Sequence, residues 1–514
     1  MKQTFLIFIT ALFPILASAD GSGTCGNNLT WSYVNATKTL TISGTGEMGS
    51  FDFESNGGGT YICAGAPWYS YAKNIVRVII QSGVTSISSY AFSGCSMTSL
   101  TISNTVKSIG EYAFSDCNSL STINIPDVAI NIGDCAFVKT AWYKNQPDGL
   151  VYLGKIVYKY KGEMPANTSL SIKEGTLAIA SSAFSFCSNL TSITIPNSVT
   201  VIGSWAFAWC SGLTSFDIPK GVKDICFLQN CTGLTSIDIP NDVTSVSLTG
   251  CSGLSTLVIP NGVTYLGDFS GCTSLTSISI PSSVTSIGGE ARVGNWAFMN
   301  CYALNAVYIT DLEAWCKIET GYSHSFEEIY NNPLYFAHHL YLNGEEVTNI
   351  VIPDGISELS ATFQGCTNIS SVIIPSSVTS LGETFADCTG LASITCLNTV
   401  PPQCINTCGS YSSWEDYAAF TFKDVDKEKC VLLVPQGCVS AYKNAAYWGE
   451  FKNIKELKRG DANGDGLVNV ADIVFVVNII KESAYNKLAD MNNDGFVDNK
   501  DLSTIKDIIM EADQ

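Results

Sequence analysis

The sequence predicts a strand-rich α/β fold: a solenoid of stacked parallel strands with capping segments, followed by a small all-α domain. Three observations predict it. One ten-residue phrase recurs, as "CSNLTSITIP" from residue 187, "CSGLTSFDIP" from 210, "CTGLTSIDIP" from 231 and "CTSLTSISIP" from 272. A cysteine opens each copy. The C-terminus then abandons the phrase for two acidic twelve-residue segments, "DANGDGLVNVAD" at 461–472 and "DMNNDGFVDNKD" at 490–501.

Residues 1–19, "MKQTFLIFITALFPILASA", place Lys2 before an apolar run and close on Ala17-Ser18-Ala19, the pattern of a secretory signal peptide. The remaining chain is therefore expected to be exported. No other run reaches the ~18 apolar residues of a membrane span. A net charge of −19 with only 14% charged residues leaves no clustered Lys and Arg for phosphate, which argues against a nucleic-acid partner.

The Ile-Pro steps at Pro196, Pro219, Pro240, Pro260 and Pro281 are separated by 23, 21, 20 and 21 residues, the period of one solenoid coil. Within a coil, "LTSITI" alternates, predicting Leu190, Ile193 and Ile195 inward and Ser192 and Thr194 outward. Pro196 then removes a ladder donor and turns the chain. "SVTVIG" reads as a second short strand, and "WAFAWC" as a turn filled by Phe207. One coil buries only a few side chains at about 1.5–3 kcal/mol each. Ordering its residues costs about 1–2 kcal/mol apiece. Each coil thus depends on neighbours to cover its open face and complete its ladders.

"IPNSVTVIGSWAFAWCSGLTSFDIP" at 195–219 and "IPSSVTSLGETFADCTGLASI" at 374–394 resemble the BspA-like class of bacterial leucine-rich repeats. The resemblance spans most of residues 25–457 and recurs about eleven times. It divides the chain into an N-terminal cap hairpin at 20–75, a leucine-rich-repeat solenoid at 76–395 and a C-terminal cap at 396–457. Caps are expected because a bare terminal coil would expose apolar surface and unpaired strand edges. Insertions interrupt the coils at 140–170, read as a hairpin rich in Tyr and Lys, and at 310–347, which holds His324, His338 and His339. Neither contains a catalytic or metal signature, so both read as structural elaborations.

Cys95, Cys117, Cys187, Cys210, Cys231, Cys251, Cys272, Cys301, Cys366 and Cys388 share one slot. Secretion favours disulfides, but a stacked column holds its side chains parallel, whereas a disulfide needs Cβ atoms converging to about 3.8 Å. Buried thiols are therefore expected. For Cys404, Cys408, Cys430 and Cys438, off the column, disulfide and thiol stand level.

The acidic segments place oxygen side chains at loop positions 1, 3, 5, 9 and 12 with Gly at 6, which suits a hard cation needing several oxygens and a sharp bend. Two Ca2+ ions are expected. The first loop assigns Asp461, Asn463, Asp465, Asn469, Asp472 and the carbonyl of Leu467. The second assigns Asp490, Asn492, Asp494, Asp498, Asp501 and the carbonyl of Phe496. Asp rather than Glu at position 12, and a helix only after each loop, make residues 458–514 resemble a dockerin type I module. That resemblance implies a cohesin domain on a scaffold protein as partner. The first helix looks apolar almost all round, with Val474, Phe475 and Ile479 off its main stripe. Phe475 and Ile479 are expected on the docking surface, with Val470, Ala471, Asn499 and Lys500 at the differing loop positions 10 and 11. The competing expectation packs them on the closing segment of the coils.

The reading is a non-enzymatic binding or adhesion protein, secreted or associated with the bacterial cell surface. Its rows Ser192, Thr194, Ser215, Asp217, Ser236, Asp238, Ser277 and Ser279 form a polar display face. The repeat resemblance implies a host matrix protein or glycan as its ligand. The alternatives are a carbohydrate-active enzyme or accessory component of a cellulosome-like complex, since dockerins tether such enzymes, and a structural spacer. The coils, caps and acidic tail leave little sequence for a catalytic domain.

Overall fold

Alternating apolar and polar residues at the repeat period produce, in the computed structural model, ladders of two- to six-residue strands in register. Described are residues 19–55, 61–288, 297–320, 331–405, 417–464, 466–482, 488–492 and 494–512. The signal-peptide segment, His324, Cys408 and Asp465 lie outside them. The chain divides into two units: residues 1–187 with 193–208, and residues 188–192 with 209–514.

In the first unit an antiparallel meander, Gly21–Gly26, Leu29–Val34 and Thr39–Gly44, opens the sheet. Its last strand runs parallel to Arg77–Ile80, which pairs with Ser99–Ile102 and then Thr122–Asn124. Register places Ile42, Ile80 and Ile102 in one buried row while Thr101 faces out. A second ladder aligns Ile87, Ile109 and Ile132. Between the ladders the rings of Phe92, Phe114 and Phe137 stack at 5.2 Å, within 5° of parallel. That spacing is close to the inter-strand distance, so one ring per coil is what the ladders permit. Trp68 ends the column, 5.0 Å from Phe92, and donates Nε1–H to Ala91 O at 3.0 Å. The hairpin Gly149–Leu153 and Ile156–Lys161 joins the second ladder through Ile156 and Val157, which pair with Ala178 and Ile179.

Leu190 is buried, but Ile193 and Ile195, expected inward, are only half-buried. Their strand, Leu190–Thr194, belongs to a two-stranded sheet, paired with Thr168–Ser171 alone. It thus lacks the cover that longer ladders provide.

The second unit repeats the plan. Leu257, Ile278, Val307 and Leu340 form one buried row. Ile350, Val372, Ile394, Leu432 and Ile454 form another. Phe363, Phe385 and Phe422 stack at 6.1 Å, and Trp448 closes the column edge-on at 4.7 Å. Trp448 Nε1–H donates to Pro402 O at 2.8 Å, and Tyr442 OH to Asn398 O at 2.8 Å. Of the expected display rows, Ser215, Asp217, Ser236 and Asp238 are exposed here and Ser277 and Ser279 half-buried; Ser192 and Thr194 are exposed as well.

Many of the turns use left-handed backbone twice. Tyr90, Tyr112, Cys135, Ser182, Trp205, Ala361 and Glu383 precede the Phe slot at φ between 51° and 61°. Gly94, Asp116, Phe186, Trp209, Asn230, Gly250, Gly271, Asn300, Gly365 and Asp387 precede the next slot at φ between 57° and 81°. That geometry explains the Gly, Asn and Asp bias before the cysteine. No disulfide joins the described cysteines, the ten column residues included.

Candidate functional site

The acidic tail folds as two loop-helix units. Its helices, Val470–Glu482 and Asn499–Ala512, close over a small core of Ala462, Val476, Ala489 and Ile505, joined by Ile473, Phe475, Ile480, Leu502 and Ile509. Each helix follows its loop because the position-12 carboxylate lies in its first turn and gathers the loop's backbone donors.

The two loops are near-duplicates at the level of hydrogen bonds. Asp472 Oδ1 accepts from the N–H groups of Ala462 (2.8 Å) and Asn463 (3.1 Å), and Oδ2 accepts from Asn469 (2.8 Å). Asp501 does the same with Met491 (2.8 Å), Asn492 (3.3 Å) and Asp498 (2.8 Å). Position 1 receives position 6 in both: Asp461 Oδ2 accepts from Gly466 N–H, and Asp490 Oδ2 from Gly495 N–H, each at 2.9 Å. Both glycines sit at φ +86°, a bend closed to most side chains.

Asp461, Asp472, Asp490 and Asp501 are buried, and Asn463, Asn469 and Asp498 half-buried. Asn492, Asp494 and the side chains of Leu467 and Phe496 are exposed; for the last two the expected ligand is the carbonyl. Lys500 Nζ lies 3.7 Å from Asp494 and 4.0 Å from Asp498, a partial counter-charge confined to the second loop. Asp472 and Asp501 have no ion-pair partner among the described residues. Buried carboxylates without a cation are costly, and an all-oxygen donor set bent at glycine fits calcium. Among the described residues no three Asp, Glu, His or Cys side chains already converge as a cage. The remaining donors would be Asn side chains and loop carbonyls.

The expected partner residues separate into two groups. Val470 and Val474, one helical turn apart, are 63% and 54% exposed, and Ala471, Asn499 and Lys500 are exposed too. Phe475 is half-buried and packs against the module's own core, and Ile479 is also half-buried. The small core has only a few large side chains and draws the ring inward.

The strands of the coils do touch this module, but through the first loop. Thr395 Oγ1 donates to Gly464 O at 3.1 Å. This contact was not anticipated, although a signal existed: "SVIIP" and "VLLVP" replace the alternating "SITIP" with continuous apolar runs.

Elsewhere the titratable groups of the insertions serve structure. His338 Nδ1–H meets Gly365 O at 2.9 Å, and His339 Nδ1 meets Glu346 Oε1 at 2.6 Å. Trp315 donates to Thr362 O at 3.1 Å from a helix capped by Asp311. No helix among the described residues is long and apolar enough to cross a membrane.

A family model for the BspA type leucine rich repeat region matches residues 64–149, 154–268, 247–333 and 321–415, and one for the dockerin type I domain matches residues 459–510. Dockerin type I domains bind calcium and take cohesin domains as partners. No curated protein matches the chain. Among solved structures, a leucine-rich repeat protein from Bacteroides ovatus is 21% identical, covering 84% of this chain and 99% of its own, with a TM-score of 0.33. One from Eubacterium ventriosum is 22% identical over 79% of this chain and 95% of its own, with a TM-score of 0.27. A leucine rich cell surface protein from Faecalibacterium prausnitzii is 23% identical over 79% and 98%, with a TM-score of 0.26. The chain belongs to the BspA type leucine rich repeat family and carries a dockerin type I domain at its C-terminal end.

Proposed function

We propose that this protein is a secreted or cell-surface, non-catalytic binding protein that displays its coils to a ligand while its dockerin attaches it to a cohesin-bearing scaffold. The observation carrying this reading is the pair of matching loops, each tied to its helix by one buried aspartate. Two Ca2+ ions would be held there. The first would use Asp461, Asn463, Asp465, Asn469, Asp472 and Leu467 O; the second Asp490, Asn492, Asp494, Asp498, Asp501 and Phe496 O. Each cation would offset the buried charge and so fix the helix pair as a docking surface. That surface is the strip of Val470, Ala471 and Val474 with Asn499 and Lys500, exposed apolar and polar side chains of the kind a partner covers, edged by the half-buried Phe475 and Ile479. The coils contribute exposed neutral and acidic rows, suited to a host matrix protein or a glycan.

Capture on an immobilised type I cohesin, with calcium or with a chelator, tests the attachment. The expected result is retention in calcium and release in chelator. Chelator-insensitive retention, or none in calcium, contradicts it. Glycan and matrix binding, run beside a broad glycoside-hydrolase screen, tests the coils; turnover in that screen would reverse the non-catalytic reading.

A further inference from the structure

The outward row of the last sheet departs from the rule the other strands obey. Val351, Ile373, Thr395, Leu433 and Lys455 lie side by side across five parallel strands. Outward positions such as Thr101, Asn124 and Tyr308 in other sheets are exposed. Val351 conforms at 43% and Lys455 is exposed, yet the three residues between them are 8%, 1% and 1% exposed. What covers them is the first loop of the dockerin. Thr395 Oγ1 donates to Gly464 O. A β-carbon added at Gly464 would lie 3.1 Å from Thr395 Oγ1 and 3.5 Å from Ile373 Cδ1. One added at Gly466 would lie 3.5 Å from Leu433 Cδ2. At Gly495, the counterpart of Gly466 in the second loop with the same φ, nothing stands within 4 Å. Two loops with matching internal bonds therefore differ in setting: the first rests on a wall, whereas the described residues leave open space at Gly495 of the second.

We propose that Ile373, Thr395 and Leu433 form a built-in docking face for the chain's own first loop, which makes that loop the tighter of two unequal calcium sites and holds the dockerin in one pose. A loop already held against a rigid face loses less conformational freedom when it closes on an ion. Seating also leaves the exposed strip Val470 and Val474, and the second loop, as the surface a partner can reach. Thr395 is a positioning residue here, since its hydroxyl holds a loop carbonyl and is assigned no place at the ion. The inference rests on the calcium reading of the loops.

Calorimetric titration of the whole chain, stripped of metal and titrated with calcium alone, tests it. Wild type should show two classes of site. Thr395→Lys should weaken the tighter class roughly tenfold, the scale of one lost buried hydrogen bond and its packing, and leave the weaker class in place. Thr395→Val, which keeps the volume and removes the donor, should weaken the same class less, and Thr395→Ser should restore it. Thr101→Lys, at an exposed outward position, should titrate as wild type, and thermal melting should confirm that each variant keeps its coils. Two sites indifferent to both Thr395→Lys and Thr395→Val overturn the docking face alone. A wild-type chain that takes up no calcium overturns the calcium reading and this inference with it.

Discussion

Phe92 O accepts twice, from Cys95 N–H within its own coil at 3.2 Å and from Cys117 Sγ–H of the next at 3.1 Å. The pattern recurs: Cys251 reaches Leu228 O, Cys272 reaches Leu248 O, Cys301 reaches Phe269 O and Cys388 reaches Phe363 O, at 3.1 to 3.3 Å. The column cysteine is thus a small apolar residue that also donates to the previous coil. Burial pushes the thiols of Cys95, Cys231 and Cys388 from an ordinary 9.0 up to about 12. Folded thiols keep their protons where unfolded ones lose them, so the stability they contribute is fully present below pH 9 and is lost as pH rises towards 12. Denaturant midpoints measured across that window should fall with pH, and a midpoint flat to pH 12 would contradict the buried column. The stacked rings carry a second expectation. Phe114, between Phe92 and Phe137, has partners on both faces; Phe114→Ala should cost about 3–5 kcal/mol by equilibrium unfolding.

On the proposed docking surface, the element that divides structure from recognition is the first dockerin helix, Val470–Glu482. Its exposed strip and its inward face predict opposite outcomes for neighbouring substitutions. Val474→Asp should leave the module folded and reduce cohesin capture at least tenfold, as loss of an apolar contact centre does. Phe475→Asp should instead destabilise the module, read as loss of helical signal, because it puts a charge against the small core of Ala462, Val476, Ala489 and Ile505. The packing of this ring on the core was not legible, because helical periodicity assigns a face by angle alone, whereas a large ring can reach sideways into a small core. Strands were far more legible. The Ile-Pro period maps to rows of the ladders, and the Phe and cysteine slots to columns in the turns between them, since like coils in register place like residues together. The half-burial of Ile193 was not legible, because pairing partners depend on which neighbouring stretch forms a strand. Nor was the seat at Thr395, where three outward residues scattered over 61 positions become adjacent only once the sheet forms.

At the scale of the whole molecule, each unit is made of coils that cannot bury a core alone, and the dockerin turns the second unit into something that can be attached. The repeat supplies rows of side chains at fixed spacing, and under the proposed function the dockerin would supply a reversible link whose shape depends on calcium. The two cation loops are therefore the point on which the functional account turns. Calcium uptake by the full chain, counted by equilibrium dialysis, tests it most directly. The account predicts two ions per chain, one after Asp472→Ala or Asp501→Ala, and none after both substitutions. Uptake of no calcium by the wild-type chain, or uptake unchanged in the doubly substituted chain, would contradict it.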